Sequence, residues 1–238
     1  MTQAICMWSG PRNLSTAMMR SFGARSDCAV WDEPFYAPYL KATGREDPGR
    51  ALVLDAHETD PHKVAQGCLK HTGTDFYFQK HMPFQMLDSF PLGWAAKAKH
   101  FFLLRHPQRV IASYVKIRPN PDLDDLGFRA QRLLYEKLTE ITGTPPPVIH
   151  AETILQSPEA ALTQLCTALN IPFDRAMLSW EAGPKPEDGA WAPFWYGNVI
   201  NSAGFAPFSS ELPDVAPHYA ALLSACLQDY NFVAKAVV

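Results

Sequence analysis

Short apolar runs alternate along the chain with longer stretches in which apolar residues recur every three or four positions. The first run, Ala4 to Trp8, has the length of a buried strand, and a breaker cluster follows at Ser9-Gly10-Pro11-Arg12-Asn13. Leu14, Ala17, Met18 and Phe22 then recur at helical spacing. Cys28 to Trp31 and Phe76 to Lys80 are further strand candidates. Lys99 to Arg105 is the plainest strand, an apolar centre bounded by charge. His106-Pro107 turns it into a helix over about Gln108 to Lys116, since proline is well placed at a helix start. The spacing of Leu126, Ala130, Leu133, Leu134, Leu138 and Ile141 predicts a helix that Pro145-Pro146-Pro147 stops. Val148 to His150 is a fifth short strand, Ser157-Pro158-Glu159 opens a helix to about Leu169, and Ala216 to Tyr230 is a closing helix.

The strands are apolar throughout instead of alternating, which predicts a parallel sheet covered on both faces. The expectation is an α/β fold of three layers, with a mainly parallel sheet of about five strands flanked by helices. No repeat or composition shift divides the chain, so residues 1–238 form one domain in this reading. Arg50 to Lys70 has patchy helical periodicity interrupted at Pro61, and Ile171 to Trp180 is a short turn or helix. Two connections, 32–50 and 181–213, look irregular and are the expected walls of an acceptor pocket, because long connections in compact domains are usually functional.

Composition narrows the partners. Hydrophobic residues make up 47% of the 238 and charged residues 19%, a globular balance. The net charge of −3 provides no basic field for nucleic acid or an anionic membrane, so anion binding must come from local clusters. Cys6, Cys28, Cys68, Cys166 and Cys226 are odd in number and never form a Cys-x-x-Cys pair, which favours free thiols in a reducing compartment. The opening apolar run lacks a basic lead and is too short for a signal peptide. Gly189 to Ser210, the longest uncharged stretch, is too rich in breakers for a membrane span. A cytoplasmic protein is the expectation.

The first strand, loop and helix together make an anion site. The first helical N–H groups lack intrahelical partners, and the helix dipole favours negative charge there. Ser15 and Thr16 add hydroxyls, and Arg12 adds a planar cation suited to phosphate or sulfate. The loop is neither Gly-x-x-x-x-Gly-Lys-Ser/Thr nor Gly-x-Gly-x-x-Gly, which disfavours an ordinary triphosphate loop and a dinucleotide fold. The second notable stretch, Leu103 to Lys116, places Arg105 at a strand's carboxyl end, where open α/β sheets bind ligands, and Ser113 on the helix after it.

Together these stretches resemble the sulfotransferases that use 3′-phosphoadenosine 5′-phosphosulfate (PAPS). Ser9 to Thr16 is similar to their 5′-phosphosulfate loop. Leu104 to Ser113 is similar to their 3′-phosphate motif, an arginine and a serine eight positions later. Ala151 to Ala160 and Leu162 to Phe173 resemble a later strand–helix region, so the likeness spans roughly residues 4 to 180. It implies a P-loop NTPase-like fold, a PAPS co-substrate and no required metal. It also implies contacts to the co-substrate from Gly10, Pro11, Arg12, Asn13, Leu14, Ser15, Thr16, Arg105 and Ser113. The nearest motifs are those of tyrosylprotein and bacterial carbohydrate enzymes. By that likeness Glu33 in Trp31-Asp32-Glu33-Pro34 is the catalytic base, with Asp32 adjacent, and Lys80 before His81-Met82-Pro83 matches their lysine. Arg12 and Lys80 are then the cations that meet developing negative charge. Asn13 and Leu14 depart from the small residues common in relatives, and His81 replaces a common aspartate.

The implied reaction moves a sulfuryl group to a hydroxyl, or an amine, of a small-molecule or glycan acceptor with an apolar or ring-containing part. The rivals are a P-loop-like kinase or NTPase and a non-catalytic nucleotide-binding protein. The kinase needs a magnesium-binding aspartate, for which Asp55 after Leu52-Val53-Leu54 is the candidate. Asp55, His57, Glu58 and His62 have metal-ligand residue types, but the two histidines are five apart and share no helix face. Trp191, Phe194, Trp195 and Tyr196 suit either a core or a flap over the pocket, with Asn198 and Ser202 as donors.

Overall fold

Ile5 and Met7 point to one side of the first strand and Cys6 and Trp8 to the other, and both sides are fully buried. That is the signature of a central strand in a covered parallel sheet. The computed structural model describes residues 2–236. Its sheet contains β1 (Gln3–Ser9), β2 (Cys28–Asp32), β3 (Phe76–His81), β4 (Lys99–Leu104) and β5 (Val148–His150), in the order β2-β3-β1-β4-β5. Every neighbouring pair is parallel.

Helices cover both faces. On one lie α1 (Ser15–Gly23), α2 (Tyr36–Thr43) and α9 (Pro158–Ala168), whose Met18, Phe22, Leu40, Leu162 and Leu165 pack with Ile5, Met7, Phe78 and Phe101. On the other, α4 (Pro61–Gly67) and α7 (Phe128–Thr142) bring Val64, Leu134 and Leu138 to Cys6, Trp8, Phe102 and Leu104. A third cluster joins α5 (Pro107–Tyr114) and α6 (Leu123–Leu126) to α12 (Ala220–Val233) through Val110, Leu126 and Cys226. The remaining helices are α3 (Arg50–Ala56), α8 (Ala151–Gln156), α10 (Ala192–Trp195) and α11 (Gly197–Ile200). None is long and apolar enough to cross a membrane among the described residues. All five cysteines are unpaired and buried.

The expected five-stranded parallel sheet is present. Three local expectations need correction. The stretch after Glu33 is not irregular: α2 forms there, because Pro38 lies in the first turn, where its missing N–H has no partner to lose. The helix expected from Leu126 begins at Phe128. Gly127, at φ 70°, breaks the run, and Leu126 ends the separate α6, which a reciprocal Asp122–Asp125 capping box starts. Within 181–213, α10 and α11 interrupt the irregular path. Leu52 to Asp55 is helical, so Asp55 does not follow a strand; it is exposed on α3.

Candidate active site

The carboxyl ends of β1, β2, β3 and β4 open onto one cavity of about 300 Å³. This is where an open parallel sheet binds ligands, at the carboxyl ends of its strands beside the point where the strand order reverses. Its walls come from the loop after β1, the start of α1, the residues after β2 and β3, and the segment 191–206.

The loop after β1 is held in an unusual backbone shape. Arg12 (φ 58°) and Leu14 (φ 67°) are both left-handed, as is Glu33 (φ 35°). Three of the five such non-glycine residues therefore line this cavity, which concentrates backbone strain there. Asn13 braces the loop from below, its Nδ2 donating to the Leu103 carbonyl at 2.5 Å. Gly10 does not line the cavity; a Cβ on it would lie 3.2 Å from the Leu126 carbonyl, a tight approach that favours a small residue against α6. Pro11, Arg12, Asn13, Leu14, Ser15 and Thr16 all contribute to the wall.

The two anion-binding stretches meet. Arg105 Nη1 donates to the Arg12 carbonyl at 2.6 Å, and Arg12 Nε donates to Ser113 Oγ at 3.0 Å. Neither arginine has a carboxylate within salt-bridge distance. Burial lowers the proton affinity of both guanidiniums, yet arginine keeps its charge in proteins. Two half-buried cations therefore lie beside the N-terminus of α1 with no directly paired carboxylate among the described residues.

At the other side of the cavity, strand register builds a buried ionic cluster. Asp32 and Lys80 are register partners on β2 and β3, so their side chains share a sheet face. Lys80 Nζ donates to Asp32 Oδ1 at 2.9 Å, to Glu33 Oε1 at 2.5 Å and to the Tyr196 hydroxyl at 2.6 Å. These bonds use all three ammonium protons. The Tyr196 hydroxyl in turn donates to Asp32 Oδ2 at 2.6 Å and accepts from Trp191 Nε1 at 2.9 Å. Gly189 N–H adds a contact to Asp32 Oδ2 at 3.3 Å, and Gln85 Nε2 donates to Glu33 Oε2 at 2.6 Å.

Burial disfavours the Lys80 ammonium, but Asp32 and Glu33 outweigh it and hold its pKa well above the ordinary value. Burial pushes Glu33 above the usual carboxylate range; Lys80 pulls it back and the neighbouring Asp32 pushes it up again. Burial likewise raises the Tyr196 phenol, reinforced by Asp32, so it stays a hydrogen-bond donor. Glu33 lines the cavity, whereas Asp32 does not. Adjacent in sequence, the two carboxylates have different surroundings.

The remaining candidates are placed as follows. His81 is buried off the cavity, stacked on Trp8 with ring centroids 4.4 Å apart. His106 caps α5 by accepting from the Gln108 N–H. Nε2 of His57 accepts from the Ala190 N–H at 3.1 Å. No group of three or more His, Cys, Asp or Glu is placed to hold a metal ion among the described residues. Trp191, Trp195, Tyr196, Asn198 and Ser202 line the cavity, but Phe194 turns outward over Gly49. Sequence reasoning missed the hydroxyl of Tyr196, the amide of Gln85 and a rim of paired charges. In that rim Arg45 bonds Asp47 and Asp125, and Arg118 bonds Asp47. Tyr196 was visible in the sequence as one of the aromatics of 191–196, whereas Gln85 and the rim charges offered no signal.

The family model described as "Sulfotransferase domain" matches residues 3–236. Two curated Arabidopsis thaliana proteins, branched-chain-amino-acid aminotransferase-like proteins 1 and 2, are each 41% identical over 234 residues. Those matches cover 97% of this chain but 41% of each relative, so the chain spans about two fifths of their length. Among solved structures, the sulfotransferase domain of the Synechococcus PCC 7002 olefin synthase superposes with a TM-score of 0.63 at 16% identity, covering 98% of this chain and 94% of that one. A mouse sulfotransferase complexed with PAP has a TM-score of 0.59 at 12% identity, covering 96% and 84%. At these identities the two structures share the fold with this chain.

Proposed function

The chain belongs to the sulfotransferase domain family, and from that premise we propose that it transfers a sulfuryl group from PAPS to a hydroxyl, or an amine, of an acceptor. One observation carries the reading. Arg12, Arg105 and Ser113, drawn from two stretches far apart in sequence, converge near the N-terminus of α1 with two half-buried cations that no carboxylate pairs directly among the described residues. A nucleotide with phosphate groups at both its 5′ and 3′ positions fits that arrangement. The 5′-phosphosulfate would lie on the α1 N–H groups, Ser15, Thr16 and Arg12, and the 3′-phosphate on Arg105 and Ser113. The PAP complex of the mouse enzyme supports this choice of ligand class.

PAPS supplies an activated sulfuryl group, and the chain's residues orient it and manage charge and proton. The acceptor oxygen forms a bond to sulfur as the bond from sulfur to the 5′-phosphate oxygen breaks. That electron pair stays on the phosphate, where Arg12 and the helix N-terminus meet the charge. The acceptor proton passes to Glu33. Its Oε2, which has only the neutral Gln85 donor, is the better-placed oxygen because Oε1 is bound to the Lys80 ammonium. Lys80 contributes positive charge beside the base. This reading calls on no metal ion, since side-chain cations supply the charge.

The acceptor would enter along Tyr36, Phe84, Trp191 and Trp195, which suits a small molecule or glycan with an apolar or ring-containing part. The five buried thiols favour a reducing, cytoplasmic setting. Calorimetry with 3′-phosphoadenosine 5′-phosphate (PAP) and with Mg-ATP tests the reading. Micromolar binding of the bisphosphate with weak Mg-ATP binding is expected; the reverse preference would favour the kinase reading and sink this one.

A further inference from the structure

We propose that Asp32 is a positioning residue that sets the strength of the base: it holds Lys80 between two carboxylates, so Glu33 never receives the ammonium alone. This inference rests on Glu33 as the base. The geometry is a buried triangle. Lys80 is 1% exposed and lies 2.9 Å from Asp32 and 2.5 Å from Glu33, on opposite sides of one shared charge. A carboxylate paired singly with a buried lysine is a weak base, because giving up its charge strands the cation. With Asp32 present, Glu33 can accept a proton and Lys80 still has a carboxylate partner. The cluster passes from a net charge of −1 to zero, so protonation of Glu33 relieves a buried excess charge instead of creating one.

Asp32 itself is fixed for that task. Its two oxygens take Lys80, the Tyr196 hydroxyl and the Gly189 N–H, and Asp32 itself stays off the cavity wall. Those donors stabilise its charge, whereas Glu33 faces the cavity with the neutral Gln85 on its second oxygen. The groups that face the pair are few. Lys80 comes from β3, Tyr36 from α2, Gln85 from the turn Pro83–Gln85, and Tyr196 from the segment after α10. His57, after α3, faces Asp32 at longer range. Of these only Lys80 is a permanent cation. The raised proton affinity of Glu33 agrees with the geometry.

Infrared difference titration of the full chain reads the Glu33 proton without turnover, and Glu33→Gln identifies its band. The unaltered chain is expected to protonate Glu33 above the ordinary glutamate range of about 4.3. Asp32→Asn leaves Lys80 to Glu33 and should lower that midpoint on the order of one pH unit, a roughly tenfold loss of proton affinity. A midpoint in or below the ordinary range in the unaltered chain would overturn the proposal, as would an Asp32→Asn midpoint that stays put or rises. Asp32→Ser takes the place of Asp32→Asn if the latter does not fold, and the titration of the unaltered chain decides by itself if neither does. Failure here leaves PAP affinity untouched, so it is distinguishable from failure of the sulfotransferase reading.

Discussion

Arg12 Nε rests 3.0 Å from Ser113 Oγ, a contact that joins positions 101 residues apart and links the loop after β1 to α5. The same loop carbonyl, on Arg12, is held by Arg105. In the proposed reading Arg105 both braces the loop backbone and offers charge to a 3′-phosphate, while Ser113 touches the loop only through the Arg12 side chain.

That difference yields a graded prediction for nucleotide affinity. Ser113→Ala should weaken PAP about tenfold and adenosine 5′-monophosphate clearly less, since only the bisphosphate loses a charge-assisted hydrogen bond to its 3′-phosphate and both ligands share the freed Arg12 side chain. Arg105→Ala should weaken PAP by about a hundredfold or more and also cost the monophosphate a few-fold, because the loop loses its brace. Calorimetric titration of both ligands checks this. Equal losses for the two nucleotides in Ser113→Ala would mean that the serine does not touch the 3′-phosphate.

Binding and turnover should separate at Glu33. Glu33→Gln keeps the shape, and keeps the hydrogen bonds once the Gln85 amide turns its free oxygen to the new NH2, but cannot take a proton, so kcat is expected to fall about a hundredfold or more. PAP affinity should stay within about a factor of two, because no nucleotide contact depends on that carboxylate in this reading. The assay is release of PAP from PAPS with an accepted hydroxyl compound, beside calorimetry on the same preparation. Undiminished release would remove Glu33 from the chemistry.

What the sequence made legible follows from how local each signal was. The five strands, the anion loop and the Arg105–Ser113 spacing depend on runs of neighbouring residues, and the parallel sheet follows from the strands being apolar on both faces. Asp32 and Lys80 are 48 residues apart, and only strand register makes them partners. Tyr196 lies 116 residues from Lys80 and reaches it through a segment with no periodicity to read. α2 was hidden because a proline in its first turn looks like a breaker until the helix start is known. Gly127 sits inside an apolar spacing that fits one helix, yet its left-handed backbone makes two.

Acid should destabilise the fold through buried neutral histidines. His100 accepts from Trp8 Nε1 at 3.0 Å and pairs through Nε2 with the Ala95 carbonyl, and burial depresses its pKa to about 4. Burial also pushes His81 well below its ordinary value, with His100 and Lys80 adding to the effect. The unfolded chain takes up these protons near pH 6.5 and the folded chain does not, so stability is full above that pH and declines as pH falls from it toward 4. His100 should contribute a loss of about 2 kcal/mol by pH 5, and His81 a loss in the same direction. Urea unfolding at pH 7 and pH 5 measures it, and His100→Gln should flatten the slope. An unchanged slope in that variant would show that His100 is not what titrates.

Gly189 couples the irregular segment to the ionic cluster, and its substitution tests whether that segment is a packed wall or a loose flap. A Cβ there would lie 2.2 Å from the Trp191 indole, far inside contact distance. Trp191 is 2% exposed and its Nε1 is bound to the Tyr196 hydroxyl, so the ring cannot step aside without releasing Tyr196. Tyr196 in turn holds Asp32 and Lys80, and Gly189 N–H itself contacts Asp32. Overpacking of this kind costs about 1–3 kcal/mol, which for a chain of this length lowers Tm on the order of 5 °C. Gly189→Ala should therefore lower Tm and reduce kcat together, while PAP affinity stays near that of the unaltered chain because Gly189 and Trp191 take no part in the Arg12–Ser113 and Arg105–Arg12 contacts. Calorimetric unfolding and PAP titration of the same sample check both parts. An unchanged Tm would mean that the segment yields freely, and Trp191 would then be a flap residue that the ionic cluster does not need.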